Sequence, residues 1–173
     1  MSESRLTSIP YEDWDFEALA EISPGMKPPE MSVVGFFAHH PELARSYLSW
    51  NHYVNSRRSS LSREIREIAI LRVARVRNSG YEWAQHVKIA RRAGISDETV
   101  AKIRSNEKVP GVAGLIVAAV DELAESSAIG DETYAALAGE FSEKQLIDLV
   151  FLIGTYSMLS MAFNTFGVEL EGT

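Results

Sequence analysis

The chain has 173 residues, of which 46% are apolar and 24% are charged, and its formal net charge is -7. This length and composition are typical of one globular domain and argue against global disorder. Because the sequence contains no cysteine, a disulfide scaffold, an iron–sulfur cluster, thiolate metal ligands and a cysteine nucleophile are all excluded.

The charges are distributed unevenly along the chain. Residues 57–92 hold ten basic and three acidic side chains, whereas the remainder holds seven basic and 21 acidic ones. Such asymmetry is compatible with a nucleic-acid-binding surface. We favour pairing of basic helices with acidic helices of this chain or of a neighbouring subunit, because the net negative charge repels phosphate at long range. A third interpretation is that one or two of the arginines hold an anionic small substrate.

The first 40 residues are the least regular and are predicted to form an N-terminal arm. We expect a short helix over residues 13–22, followed by a turn-rich stretch over residues 23–30 with three prolines. The N-terminus lacks the apolar segment of a signal peptide, so we expect a cytoplasmic protein. Residues 41–173 are expected to form the second part of the chain, an all-α domain.

From Pro41 onwards, helical periodicity and capping signals recur, while strand signals are scarce. Proline suits the first turn of a helix, and Ser62 and Ser96 are suitable N-caps. Ser142 and Gln145 form an S-x-x-Q capping box that opens a long apolar helix. The predicted fold is a single all-α helical bundle around a central antiparallel αα-hairpin. The predicted helices cover about 41–56, 62–75, 81–93, 96–104, 111–125, 131–139 and 142–164.

The longest uncharged run covers residues 149–163 and includes Thr155, Ser157 and Ser160. A membrane-spanning helix needs about 20 apolar residues, more than this run contains. We therefore interpret the run as part of a buried core helix and expect no membrane partner.

Three side chains on the predicted hairpin form the candidate catalytic group. Glu67 lies on a predicted helix that carries apolar side chains on all of its sides, so the helix is expected to be buried. The carboxylate of Glu67 therefore needs a partner or a raised pKa. Glu82 and His86 share a face of the next helix because they are four residues apart. At 1.5 Å per residue, Glu67 and His86 lie roughly 16 and 12 Å from the turn at Asn78, which is a similar depth. We expect the three side chains to converge.

Two carboxylates and an imidazole in an apolar site suit general acid–base catalysis, and a Glu–His hydrogen bond would fix the imidazole tautomer. Spacing alone favours the alternative of a buried Glu–His pair that only bridges helices. One imidazole without a second histidine four residues later is a weak ligand set, so we predict no metal and no cofactor.

Four further residues are candidates for substrate binding. Tyr81 and Trp83 could line a pocket or belong to the core. Arg72 lies on the mostly buried helix, and we expect it to pair with one of the two glutamates or, alternatively, with a substrate anion. His52 could enter the site from the preceding helix, although a surface or interface position is favoured.

The segment REIAILRVARVRNSGYEWAQHVKIARRAGIS, residues 66–96, resembles the carboxymuconolactone decarboxylase family, which includes alkylhydroperoxidase D-like proteins. The resemblance extends over residues 40–171. In the peroxidase branch, the site contains a glutamate, a CxxC pair and a histidine four residues after the second cysteine. Glu67 and His86 match that glutamate and that histidine, whereas Ser79 and Glu82 occupy the cysteine positions.

The resemblance implies an alkylhydroperoxidase D-like fold and self-association as a trimer or a hexamer. It also implies the non-redox branch, because both thiols are absent. The expected activity is that of a lyase or isomerase on a small carboxylated, lactone or carbonyl substrate, with Glu67, Glu82 and His86 as the acid–base residues.

Two alternatives from other classes remain. One is a non-catalytic oligomeric protein of the same fold that binds a small molecule. The other, less favoured, is a helix-turn-helix protein, because residues 90–103 resemble the turn and second helix of that motif. Acidic Asp97 and Glu98 would then face phosphate, and the net charge is unfavourable, so we expect no nucleic-acid partner.

Overall fold

A computed structural model describes residues 5–22, 25–168 and 170. These residues contain eight α-helices and no strand, which confirms the predicted all-α class. The helices are α1 Ser32–Ala38, α2 Pro41–Asn55, α3 Arg63–Val76, α4 Gly80–Arg92, α5 Asp97–Ser105, α6 Gly111–Ser126, α7 Asp131–Glu140 and α8 Glu143–Phe166.

The described residues group into two compact units. One unit contains the residues up to Ser59 and those from Phe163 onwards, and the other is Ser60–Ala162. Helix α2 therefore belongs to the same unit as the N-terminal segment. The domain boundary that we expect after residue 40 stays a prediction, because a compact unit is not by itself a part that folds alone.

In the first unit, the N-terminal segment differs from the prediction. Two short 3-10 turns, Tyr11–Asp13 and Ala20–Ile22, replace the helix expected over residues 13–22. The reason is local, since the Trp14 indole donates to the carbonyl oxygen of Ile9 and the Asp15 carboxylate accepts from the backbone of Ala18. Part of the turn-rich stretch that we expect next, residues 23–24, lies outside the described residues.

Helix α1 was not predicted. Its seven residues are mainly β-branched, aromatic or glycine, and therefore have modest helix propensity. Aromatic contacts within the unit stabilise it instead, because Phe37 stacks on Tyr47 with ring centroids 4.9 Å apart and Phe36 meets Phe163 edge-on at 5.5 Å. Tertiary packing therefore stabilises this short helix, which local helix propensity alone does not favour.

In the second unit, α3 is the central element. Every residue from Arg66 to Ala74 is buried, and α3 packs against α4, α5 and α6. Ser62 caps its N-terminus by accepting a hydrogen bond from the backbone of Ile65. Only residues 77–79 separate α3 from α4, and Asn78 adopts a left-handed conformation with φ of 52°. The predicted central antiparallel hairpin is therefore confirmed.

Helix α8 begins beside the start of α3. The Asp148 carboxylate accepts hydrogen bonds from the backbone N–H and the hydroxyl of Ser60 at 2.7 and 2.6 Å. The predicted capping box is present, since Ser142 and Gln145 exchange side-chain and backbone hydrogen bonds. Ser60 therefore connects the segment before α3 to the second turn of α8.

Helix α8 has 24 residues, and by length and composition alone it could cross a membrane, although half of its most apolar stretch is buried. The expectation of a buried core helix holds for one face, which includes the buried residues Leu149, Leu152 and Tyr156. The opposite face is exposed, with Phe151 and Met161 more than half accessible.

Two glycines predict opposite effects of alanine on stability. A Cβ atom at Gly114 in α6 would overlap the carbonyl oxygen of Val109, whereas at Gly139 in α7 it would meet no atom within 4 Å. We expect Gly114→Ala to lower the free energy of unfolding by about 1–3 kcal/mol, and Gly139→Ala to raise it by up to about 1 kcal/mol. Urea unfolding followed by circular dichroism measures both changes, and equal stabilities would contradict the tight packing at Val109.

Candidate active site

His86 and Glu67 form a short buried contact between the two helices of the hairpin. The Nδ1 atom of His86 lies 2.7 Å from Oε2 of Glu67, and both residues are buried. This distance is that of a charge-assisted hydrogen bond. The expected convergence of these two side chains is therefore observed, at the depth that helix spacing predicts.

Glu82 lies on the other side of the same imidazole ring. Its Oε2 atom is 3.3 Å from Nε2 of His86, and this glutamate is also buried. The distance is within ion-pair range but long for a charge-assisted hydrogen bond. Of the two contacts, the one at Nε2 is therefore weaker and easier to exchange for another acceptor.

The surroundings of His86 favour its charged form. Burial by itself lowers the pKa of the imidazole, but hydrogen bonds and charge attraction from Glu67 and Glu82 outweigh burial and raise the pKa from 6.5 to about 9. His86 is therefore an imidazolium at neutral pH and directs an N–H towards each carboxylate. Since a protonated ring has no tautomer to select, the expected role of Glu67 in fixing the tautomer is replaced by stabilisation of the charge.

Tyr156 is a neighbour of His86 that the sequence analysis did not identify. Its ring is perpendicular to the imidazole, with the centroids 5.0 Å apart. Tyr156 is buried in the middle of α8, in the uncharged run that we interpreted as core. The sequence offers one weak indication of a role for Tyr156, namely a tyrosine within an apolar run. No local sequence pattern relates Tyr156 to His86, which lies 70 residues earlier.

The expected pairing of Arg72 with Glu67 or Glu82 is wrong. Arg72 binds Asp121 through two contacts, Nε to Oδ1 at 2.6 Å and Nη2 to Oδ2 at 2.7 Å. It also donates to the side chain of Asn106 at 2.6 Å. Five residues along a helix correspond to a rotation of about 140°, so Arg72 and Glu67 face different sides of α3. With its donors engaged, Arg72 is also a poor candidate for holding a substrate anion.

The remaining candidate residues have different environments. Tyr81 is buried, and Trp83 is half-buried, with the guanidinium of Arg104 5.5 Å above its ring. His52 is an exposed residue of α2, which belongs to the other unit. The substrate-binding roles of Tyr81, Trp83 and His52 stay predictions.

Two buried hydroxyl groups have no hydrogen-bond partner among the described residues, those of Ser79 and Ser160. Ser79 precedes α4 at the N-cap position without capping it, and is 2% exposed. Ser160 is fully buried, one helical turn after Tyr156. A buried hydroxyl without a partner loses its hydration without compensation.

Three of the cavities on the described surface were compared with the candidate residues. One of about 440 Å³ is within the first unit, between residues 6–9, the start of α1 and the end of α8. One of about 700 Å³ adjoins the Arg72–Asp121 pair and residues 106–111. One of about 590 Å³ is near residues 39–45. None of these three cavities is lined by Glu67, Glu82 or His86, so a tryptophan-walled substrate pocket at these residues stays a prediction.

The described residues include no group of three or more histidine, aspartate or glutamate side chains arranged to hold a metal ion.

Residues 41–125 match the sequence model of the carboxymuconolactone decarboxylase family. This region of the chain is a domain of that family. The matched residues include the whole hairpin with Glu67, Glu82 and His86. Without cysteine, the chain cannot carry out thiol peroxidase chemistry. No match was found among curated protein sequences.

Two solved structures share the fold. One is a protein of unknown function from Agrobacterium tumefaciens, provisionally described as the antioxidant defence protein AhpD, with a TM-score of 0.72 and 17% identity over 80% of this chain and 97% of that chain. The other is the alkylhydroperoxidase AhpD core of an uncharacterised peroxidase-related protein from Ralstonia eutropha JMP134, with a TM-score of 0.82 and 15% identity over 99% and 94% of the two chains. These likenesses confirm the alkylhydroperoxidase D-like fold.

The raised pKa of His86 predicts a loss of stability in alkaline solution. Because the pKa is about 9 in the folded chain and 6.5 when unfolded, the contribution is complete below pH 6.5 and is lost as the pH rises through 9. We expect the free energy of unfolding to fall by about 3 kcal/mol across this interval. Urea unfolding at successive pH values measures the decrease.

His86→Gln should abolish this alkaline dependence, whereas the exposed control His52→Ala should retain it. An unchanged slope in His86→Gln would show that another group carries the titration.

The unpartnered hydroxyl of Ser160 predicts that its removal stabilises the fold. We expect Ser160→Ala to raise the free energy of unfolding by about 1 kcal/mol, because no hydrogen bond is lost. The half-buried Ser157 on the same helix is the matched control, and Ser157→Ala should change the stability by less than about 0.5 kcal/mol. A lower melting temperature for Ser160→Ala would contradict the absence of a partner.

Proposed function

We propose that this protein is a lyase or isomerase that uses His86 as a general acid on a small carboxylated, lactone or carbonyl substrate. The observation that carries the proposal is the buried imidazole of His86 held between the carboxylates of Glu67 and Glu82. A proton held at neutral pH inside an apolar fold is available for transfer to a reacting atom without help from bulk water.

The proposed reaction requires a proton at carbon. Loss of carbon dioxide from a carbon next to a carbonyl or conjugated group leaves an electron pair, which is stabilised as an enolate and must then be protonated. Keto–enol or lactone isomerisation passes through a similar anion, which forms when the carboxylate of Glu82 takes a proton from carbon and which is then reprotonated at another carbon. His86 donates the proton to carbon, becomes neutral, and regains a proton from solvent after the product leaves. The positive charge of His86 also favours formation of the anion.

Glu67 and Glu82 have different roles in this proposal. The short bond from Nδ1 to Glu67 holds the ring in place, so Glu67 is a positioning residue. The longer contact at Nε2 is the one that a substrate atom would replace, with Glu82 moving aside or relaying the proton. Glu82 stands where the peroxidase branch has its second cysteine, so this position faces the reacting atom in both branches of the proposed relationship.

A substrate anion would need a cation other than Arg72, whose donors bind Asp121 and Asn106. Arg104, which lies over Trp83, is the cation associated with a candidate pocket residue. We include Trp83 and Tyr81 as proposed pocket walls and His52 as a proposed peripheral residue. Self-association as a trimer or hexamer and a cytoplasmic location are also part of the proposal.

A second candidate is a non-catalytic small-molecule-binding protein of the same fold. It is favoured by the burial of all three acid–base residues and by the position of the 700 Å³ cavity away from them. In that case Glu67, His86 and Glu82, here called the Glu–His–Glu group, stabilise the hairpin. A ligand then binds elsewhere without turnover.

The proposal predicts the behaviour of His86→Ala towards a panel of small β-keto acids and unsaturated lactone acids. Nuclear magnetic resonance in deuterated water detects both loss of the carboxylate and incorporation of deuterium at carbon. We expect His86→Ala to reduce turnover by about 10²- to 10⁴-fold, and the exposed control His39→Ala to leave it unchanged. For the wild type, kcat should decline as the pH rises through about 9, where His86 loses its proton.

Normal turnover by His86→Ala would overturn the assignment. A panel compound that raises the melting temperature of the wild type and is not converted would support the binding protein instead.

A further inference from the structure

Helix α8 carries a continuous exposed apolar face within the second unit. The described residues include nine large apolar side chains that are exposed, and five of them lie on this face, at 39% to 59% accessibility. They are Ile147, Val150, Phe151, Met158 and Met161. The other four are scattered over the chain, as is normal for single surface residues. A concentrated apolar face of this kind marks an interaction surface.

The exposed apolar residues recur at the spacing of a helix seam. Alternating steps of four and three residues bring Ile147, Phe151, Gly154, Met158 and Met161 onto one side of α8, and Val150 lies four residues before Gly154 on the same side. Over this distance of roughly 21 Å, the exposed positions on that side carry no charge. Asp148, the charged residue within the interval, is bonded to Ser60 instead.

Four of the five apolar side chains are arranged symmetrically about Gly154, whereas the counterpart of Phe151 is the half-buried Ser157. Ile147 and Met161 lie seven residues before and after this glycine, and Val150 and Met158 lie four before and after it. If two copies of α8 cross antiparallel at Gly154, each residue before the glycine meets the residue equally far after it in the other copy. Ile147 then packs on Met161, and Val150 packs on Met158.

Gly154 suits the centre of such a crossing. It is exposed, and a Cβ atom placed on it would meet nothing within 4 Å, so packing within the chain does not require glycine there. The absence of a side chain lets two helix backbones approach closely, which is the usual role of small residues at helix crossings.

We propose that α8 binds α8 of a second copy of this chain, antiparallel and across a two-fold axis at Gly154. Exposed side chains of roughly 100 Å² each offer on the order of 500 Å² per copy, and the total of about 1,000 Å² reaches the lower limit for a specific interface. An interface of this kind is self-complementary, because the same residues supply both sides. The proposed interface does not include the Glu–His–Glu group.

A lipid surface is the competing occupant, and the charge of α8 disfavours it. Helices that lie on membranes typically carry lysine and arginine beside their apolar face. Lys144 is the single basic residue of α8, and the helix also contains Glu143 and Asp148. A lipid surface gives no reason for apolar residues at equal distances before and after Gly154, whereas in a two-fold interface such residues pack on each other.

Cysteine cross-linking tests the axis directly, because the chain has no natural cysteine. In Gly154→Cys, the two introduced thiols face each other across the axis, and mild oxidation should give a covalent dimer. A disulfide needs Cα atoms within about 7 Å, so only a close crossing allows it. Denaturing electrophoresis without reductant measures the yield.

The matched controls are Ile147→Cys and Met161→Cys. Each lies seven residues from the axis, so neither should cross-link to its own copy, but a mixture of the two variants should form a dimer. Equal cross-linking of all three single variants, or none in Gly154→Cys, would overturn the proposal.

Sedimentation of the intact protein gives an independent test. Of the trimer and the hexamer considered above, only the hexamer contains two-fold axes, so the wild type should contain an even number of chains. We expect Met158→Glu to weaken association at least about tenfold by burying a carboxylate. Tyr134→Glu, at an exposed aromatic residue of α7 away from the face, is the control that should associate normally. A monomeric or trimeric wild type would overturn the two-fold pairing, as would flotation of a monomer with phosphatidylcholine vesicles.

Discussion

A carboxylate on the central helix of this fold must be paired with a positive charge, and much of the hairpin depends on that requirement. Glu67 is buried on all sides within α3, where an isolated charge would be very costly. His86 supplies the counter-charge, and it does so only if α3 and α4 are antiparallel and in the observed register. Glu82 adds a second carboxylate, and hydrogen bonds and charge attraction from both glutamates raise the pKa of His86.

The same constraint recurs on another side of α3. Arg72 is also buried, and its bonds to Asp121 and Asn106 connect α3 to α6 and to the end of α5. Two charge systems thus occupy different sides of one helix. Removing one member of either system would leave a buried charge without compensation, which is usually more destabilising than replacing the whole group.

The family relationship acquires a physical meaning from these contacts. A redox site built on two thiols is absent because the chain has no cysteine, and the resemblance places Ser79 and Glu82 at the cysteine positions of the peroxidase branch. The Glu67–His86 contact does not need thiols, because His86 pairs with the buried carboxylate of Glu67. The exposed face of α8 concerns a different surface of the same unit, where the constraint is hydrophobic burial rather than charge.

The sequence by itself determined the helices from residue 41 onwards, their caps and the convergence of Glu67 with His86. These features depend on helical periodicity and on groups within four residues of each other, such as Ser142 with Gln145, so local physics is sufficient. Only the tertiary structure decided the partner of Arg72, the existence of α1, the neighbour Tyr156 and the charge of His86. Each of these features depends on which groups from distant parts of the chain come within a few ångströms of each other. The sequence contains several carboxylates and aromatic rings that could be those groups, and residue spacing cannot select among the candidates.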